Sequence, residues 1–113
     1  GSGCDTPLHT LQSAVDAIAK AAADEPLDFI IYTGDSPAHY IWETTRAGTL
    51  QVTDLIASLL NAAFPHTPVF SAVGNHEASP VNQFKGPGQT GDAWLYDALA
   101  ASWAHSLPDQ AEA

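Results

Sequence analysis

Two short stretches of this chain carry residues of the types and spacing that bind metal and transfer protons. Each is an apolar run closed by a glycine: Gly34-Asp35 after the first, and Gly74-Asn75-His76-Glu77 after the second. A carboxylate such as Asp35 offers two hard oxygens and can bridge two divalent cations. Asn75 adds a neutral carbonyl oxygen, so the pair suits one end of a two-cation site. His76 follows a ligand directly, where an imidazole can protonate or hydrogen-bond an oxygen leaving from phosphorus. Glu77 could orient that histidine. Taken singly these residues are ambiguous, because Gly-Asp and Gly-Asn pairs are also common in turns and helix caps. His9, His66 and His105 have no such context and read as surface or satisfied core residues.

The elements that must position these residues follow from periodicity. Thr6 can cap a helix with Pro7 at its first position. Leu8, Leu11, Val15, Ile18 and Ala22 then recur at helical spacing, toward an end near Glu25-Pro26. Leu27 to Thr33 (LDFIIYT) and Pro68 to Val73 (PVFSAV) read as strands buried on both faces of a parallel sheet. Between them Leu50, Leu55, Ile56, Leu59, Leu60 and Ala63 mark a second helix, ending at Phe64-Pro65. Glu77 to Thr90, with Pro80, Gly86, Pro87 and Gly88, has the composition of a long loop. Trp94, Leu95, Ala98, Leu99, Ser102 and Trp103 mark a third helix. The order helix-strand-helix-strand-helix predicts an α/β layer with parallel strands and right-handed crossovers. The carboxyl ends of such strands share one edge, which would bring Asp35 and Asn75 together. Two strands cannot close a domain, so the segment is expected to be the middle of a larger one.

Composition narrows the partners. The 113 residues, 45% hydrophobic, suffice for one domain. Thirteen acidic residues face three basic ones, for a net charge of -10. Nucleic-acid binding by a basic surface is therefore disfavoured, and an anionic membrane would repel the chain. An acidic working pH would ease the self-repulsion. Cys4 is the lone cysteine and can pair only outside this sequence. No run approaches the ~18 apolar residues of a membrane span, and no Asn-x-Ser/Thr triplet is present.

The paired motifs, GD after one strand and GNHE after the next, resemble the second and third blocks of calcineurin-like metallophosphoesterases. The flanking residues narrow the likeness. TGDSPAHYIW (33–42), AVGNHEASPVNQF (72–84), WLYDALAASW (94–103) and CDTPLHTL (4–11) resemble acid sphingomyelinases and their sphingomyelinase-like phosphodiesterase relatives. The resemblance implies a partial calcineurin-like layered fold over residues 1–113. It also implies two divalent metal ions, zinc by family likeness, with Asp35 bridging them and Asn75 binding one. His76 and His39 would be the catalytic pair, and Trp42 with Glu77 would border the substrate pocket, while Trp94 and Trp103 pack. Tyr40 departs from the acidic residue usual after the histidine of the PAH motif. The family's Asp-x-His block and its later histidine blocks, one of them Gly-His-x-His, are missing from these residues, so the segment alone is expected to be inactive. The implied parent is a sphingomyelin phosphodiesterase yielding ceramide and phosphocholine, secreted or lysosomal. A relative acting on nucleotides or other small phosphodiesters, and a non-catalytic truncated module, are the alternatives.

Overall fold

In the computed structural model, residues 5–86 and 89–107 are described. Cys4, Pro87 and Gly88 lie outside them, and with Cys4 the expectation about its pairing. The first helix, α1, spans Leu8–Ala22. It starts without the expected Thr6 cap: Pro7 occupies the cap position with no side-chain bond, and its carbonyl accepts from the amides of Thr10 and Leu11. It also ends before Glu25-Pro26, with Lys20 placed favourably against the dipole of the last turn.

Strand β1 is Ile30–Tyr32, helix α2 is Arg46–Ala63, and strand β2 is Val69–Ser71. The strands pair in parallel, with Ile30 opposite Val69, Ile31 opposite Phe70 and Tyr32 opposite Ser71. Both are shorter than their apolar runs. Pro68 has no N–H to give to a ladder, and past Tyr32 and Ser71 the chains bend into the glycine turns. Thr45 caps α2 by accepting from the Gly48 amide at 3.1 Å. A 3-10 turn at Asn75–Glu77 follows β2. Helix α3, Ala93–Trp103, and a second 3-10 turn at Ala104–Ser106 complete the described elements.

The core lies on one face of the strand pair. Val69, Ala57, Phe64, Leu95 and Leu99 are buried. Tyr32, Val69 and Ser71 border the same small cavity as Thr53, Ile56, Ala57 and Leu60 of α2 and Trp103 of α3. Two polar pairs tie α2 to the elements that follow the long loop: Ser102 of α3 donates to Asp54, and the Ser106 hydroxyl of the second 3-10 turn donates to Asn61 Oδ1 at 2.6 Å. Arg46 stacks its guanidinium over the Trp94 ring at 4.9 Å, which joins the start of α2 to the start of α3.

The opposite face corrects the expectation of strands buried on both sides. Phe29, Ile31 and Phe70 alternate onto it and are 54%, 66% and 45% exposed, with Phe29 and Phe70 meeting edge to face. Within the described residues α1 packs on α2, and Leu8 and Ile18 are exposed as well. Among the described residues nothing forms a second layer.

Candidate metal centre

The parallel register delivers both glycine turns to one edge, and there the two backbones touch. Gly34 has φ +79, and a Cβ on it would press on the Gly74 amide and come within 2.6 Å of the Ala72 carbonyl oxygen. A Cβ on Gly74 would come within 2.6 Å of the Asp35 nitrogen. Only glycine lets the turns cross this closely, and only at Gly34 is the left-handed backbone also needed. Asp35 itself sits at φ 61, a region that Asp and Asn tolerate better than other side chains because their short polar groups bond locally.

A buried carboxylate clasps the crossing. Glu77 is 2% exposed. Its Oε2 accepts from the Gly74 amide at 2.8 Å and the Asp35 amide at 3.0 Å, and its Oε1 accepts from the Ser36 amide at 2.7 Å. Both expectations for Glu77 are thereby corrected. It neither orients the His76 ring nor lines a pocket, because its oxygens are committed to main-chain donors beneath the site. The sequence held one overlooked signal: a glutamate three residues after Gly74, the spacing at which an N-terminal side chain reaches back to the cap amide.

On top of this clasp the proposed ligands meet. His76 donates its backbone N–H to Asp35 Oδ1 at 2.9 Å. The Asn75 amide places one atom 3.2 Å from Asp35 Oδ1 and 3.1 Å from Oδ2, and its other atom 2.9 Å from Asn82 Oδ1. Asn82, in the loop after the 3-10 turn, lies in the family-like stretch 72–84, whose PVN-x-F loop is expected from the sequence to shape the substrate pocket or pack beneath it, with Asn82 not named as a site residue. It lies seven residues from Asn75 with no periodic signal, and only its backbone, at φ 65, distinguishes it. The rings of His39 and His76 lie 5.3 Å apart, tilted by 30°. The His39 amide donates to Asp5 Oδ2 at 3.1 Å, which ties the segment preceding α1 to the site. Trp42 is 73% exposed and meets Tyr40 edge to face, so its ring faces open surface rather than an enclosed pocket.

Beneath the site the Tyr32 hydroxyl bonds that of Ser36. Burial, with the charges of Glu77 and Asp35 adding to it, raises the Tyr32 pKa above its ordinary value, so this hydroxyl stays protonated at physiological pH.

The donors present fit part of a divalent-cation shell: one carboxylate and one amide carbonyl, hard oxygens within a bond's reach of each other. Among the described residues, no group of three or more His, Cys, Asp or Glu is placed to hold a metal. The arrangement offers oxygen donors on one side only, with two imidazole rings beside them.

Comparison with known proteins gives this partial sphere a context. Residues 4–111 match the family described as calcineurin-like phosphoesterase. The chain is 40% identical over 113 residues to human sphingomyelin phosphodiesterase, covering 97% of this chain and 17% of that protein. It is 37% identical over 101 residues to sphingomyelin phosphodiesterase A of Dictyostelium discoideum, covering 89% and 16% respectively. It is 33% identical over 108 residues to human acid sphingomyelinase-like phosphodiesterase 3b, covering 95% and 22%. The chain thus spans less than a quarter of the length of these relatives. A match over nearly all its residues, with both glycine turns inside it, shows that the chain belongs to the calcineurin-like phosphoesterase family.

Proposed function

We propose that this chain is the part of a metal-dependent phosphodiester hydrolase that supplies one bridging carboxylate, Asp35, one amide ligand, Asn75, and a proton-donating histidine, His76. The observation that carries the reading is the approach of the Asn75 amide to both Asp35 carboxylate oxygens at 3.1–3.2 Å, on top of a main-chain clasp that fixes both residues. Sphingomyelin is the leading substrate, with ceramide and phosphocholine as products, because relatives bearing the name sphingomyelin phosphodiesterase match almost the whole chain. Two zinc ions and a secreted or lysosomal setting complete the reading. The rest of the coordination sphere would come from other parts of the same domain, and residues 1–113 alone are expected to be inactive.

The chemistry supplied by divalent cations at such a site is polarisation of a phosphoryl oxygen and activation of water at neutral pH. This chain's own residues do the remainder. Asp35 and Asn75 would hold the cations at the strand edge. His76, with its backbone bonded to Asp35, keeps its imidazole beside the ligands, where it donates a proton to the departing alkoxide. His39, its ring 5.3 Å from that of His76, adds a second imidazole beside it.

In the complete protein, Asp35→Ala is expected to remove bound metal. His76→Ala is expected to lower kcat by about 10²–10⁴-fold with metal content nearly intact. Metal analysis beside turnover on sphingomyelin vesicles checks both, and equal metal loss in the two variants would overturn the roles. A second reading, hydrolysis of nucleotides or other small phosphodiesters, draws on the 33% identity to acid sphingomyelinase-like phosphodiesterase 3b. Assaying a nucleoside triphosphate beside the vesicles separates the two.

A further inference from the structure

A side-chain amide can face a carboxylate with either end, and the two ends do opposite things. With its oxygen toward Asp35, Asn75 presents three oxygens to one point, a cluster that repels itself until a cation sits among them. With its nitrogen toward Asp35, the same side chain donates to the carboxylate at 3.1–3.2 Å and competes with any cation for those lone pairs. Without a cation the better-satisfied sense is nitrogen toward Asp35; in the other sense the Asn75 nitrogen donates to Asn82 Oδ1 at 2.9 Å. With the nitrogen toward Asp35, the Asn75 oxygen faces the Asn82 amide at that same 2.9 Å and accepts from it only when Asn82 presents its nitrogen there. The two amides are therefore coupled, and the sense of one sets the sense of the other.

We propose that Asn82 is a positioning residue that turns the Asn75 amide oxygen toward Asp35 by accepting from the Asn75 nitrogen. The backbone supports this role independently. The Asn82 amide donates to the Asn75 carbonyl at 3.1 Å, closing the loop between them, and at φ 65 the residue adopts a conformation suited to Asn, Asp or Gly. Outer partners of this kind typically govern metal affinity by about 10–100-fold. The inference deepens the metal-centre reading and rests on it.

The test titrates Co2+ into the metal-stripped complete protein and follows its visible absorption, for wild type and four variants. Asn82→Gly keeps the left-handed backbone and removes the acceptor; it is expected to bind Co2+ about 10-fold or more weakly. Asn82→Asp is acceptor-only, so it can hold Asn75 in the ligating sense alone and is expected to bind at least as tightly as wild type. Gln83→Glu adds the same charge one residue along and separates attraction of the cation from orientation of the amide; it is expected to match wild type. Asp35→Ala tests the underlying site. If Asp35→Ala leaves Co2+ binding unchanged, the metal-centre reading fails and this inference with it. If Asp35→Ala abolishes binding while Asn82→Gly binds within twofold of wild type, or Asn82→Asp is as weak as Asn82→Gly, the inference about Asn82 alone is overturned. Should Asn82→Gly not fold, Asn82→Asp against Gln83→Glu still decides: Asn82→Asp binding more weakly than Gln83→Glu overturns it.

Discussion

The two sides of the candidate site are built in different ways. On the ligand side, Gly34, Asp35, Ser36, Gly74 and Glu77 are locked by main-chain donors converging on one buried carboxylate. On the other side, the segment from His39 to Thr44 is held by the bond from the His39 amide to Asp5, by turn bonds among its own residues, and by ring contacts at an exposed surface. The contrast separates two requirements. Cation ligands need geometry fixed to fractions of an ångström, and backbone amides around a buried acceptor deliver it. A surface that meets substrate needs shape and chemistry, which exposed side chains supply without the fold depending on them.

The contrast breaks first at Glu77. Glu77→Ala removes the buried acceptor of three part-buried main-chain donors, at about 1–3 kcal/mol for each group left unsatisfied. A stability loss of at least about 3 kcal/mol is expected in the complete protein, read by urea denaturation; a loss under about 1 kcal/mol would mean that the clasp is dispensable. The next largest effect belongs to Gly34→Ala. It forces a Cβ into the crossing backbone at a left-handed position, and about 2 kcal/mol or more of destabilisation with weakened metal binding is expected by the same measurements. The smallest sharpens the other half: Trp42→Ala should change stability by less than about 0.5 kcal/mol while raising KM for a vesicle substrate. Destabilisation by Trp42→Ala comparable to that of Gly34→Ala would erase the distinction between the two sides.

The helices were legible because their apolar spacing does not depend on what they pack against. α2 and α3 appear over the residues where Leu50 to Ala63 and Trp94 to Trp103 set the period. The partner of each apolar face was less legible. The stripe from Leu8 to Ala22 did form a helix, yet it buries Val15 against α2 and leaves Leu8 and Ile18 exposed. In the same way LDFIIYT and PVFSAV paired as parallel strands, but a continuous apolar run reads as doubly buried whether or not a second layer is among the described residues. In the site, the shared strand edge followed from topology, since residues closing parallel strands must gather there. Glu77 was misread because its sequence neighbours are proposed site residues, whereas its function follows from burial and from donors forty residues away. Asn82 fell within a family-like motif, but its pairing with Asn75 was not legible, because an amide-to-amide bond across a loop imposes no spacing rule.

The crossing of Gly34 and Gly74 also bears on how such an enzyme can be altered by selection or by design. Neither position has room for even one methyl group, so a library that randomised them would consist almost wholly of broken proteins. Tyr40, Ile41 and Trp42 are 46%, 48% and 73% exposed, and diversity there would leave the glycine crossing and its Glu77 clasp untouched.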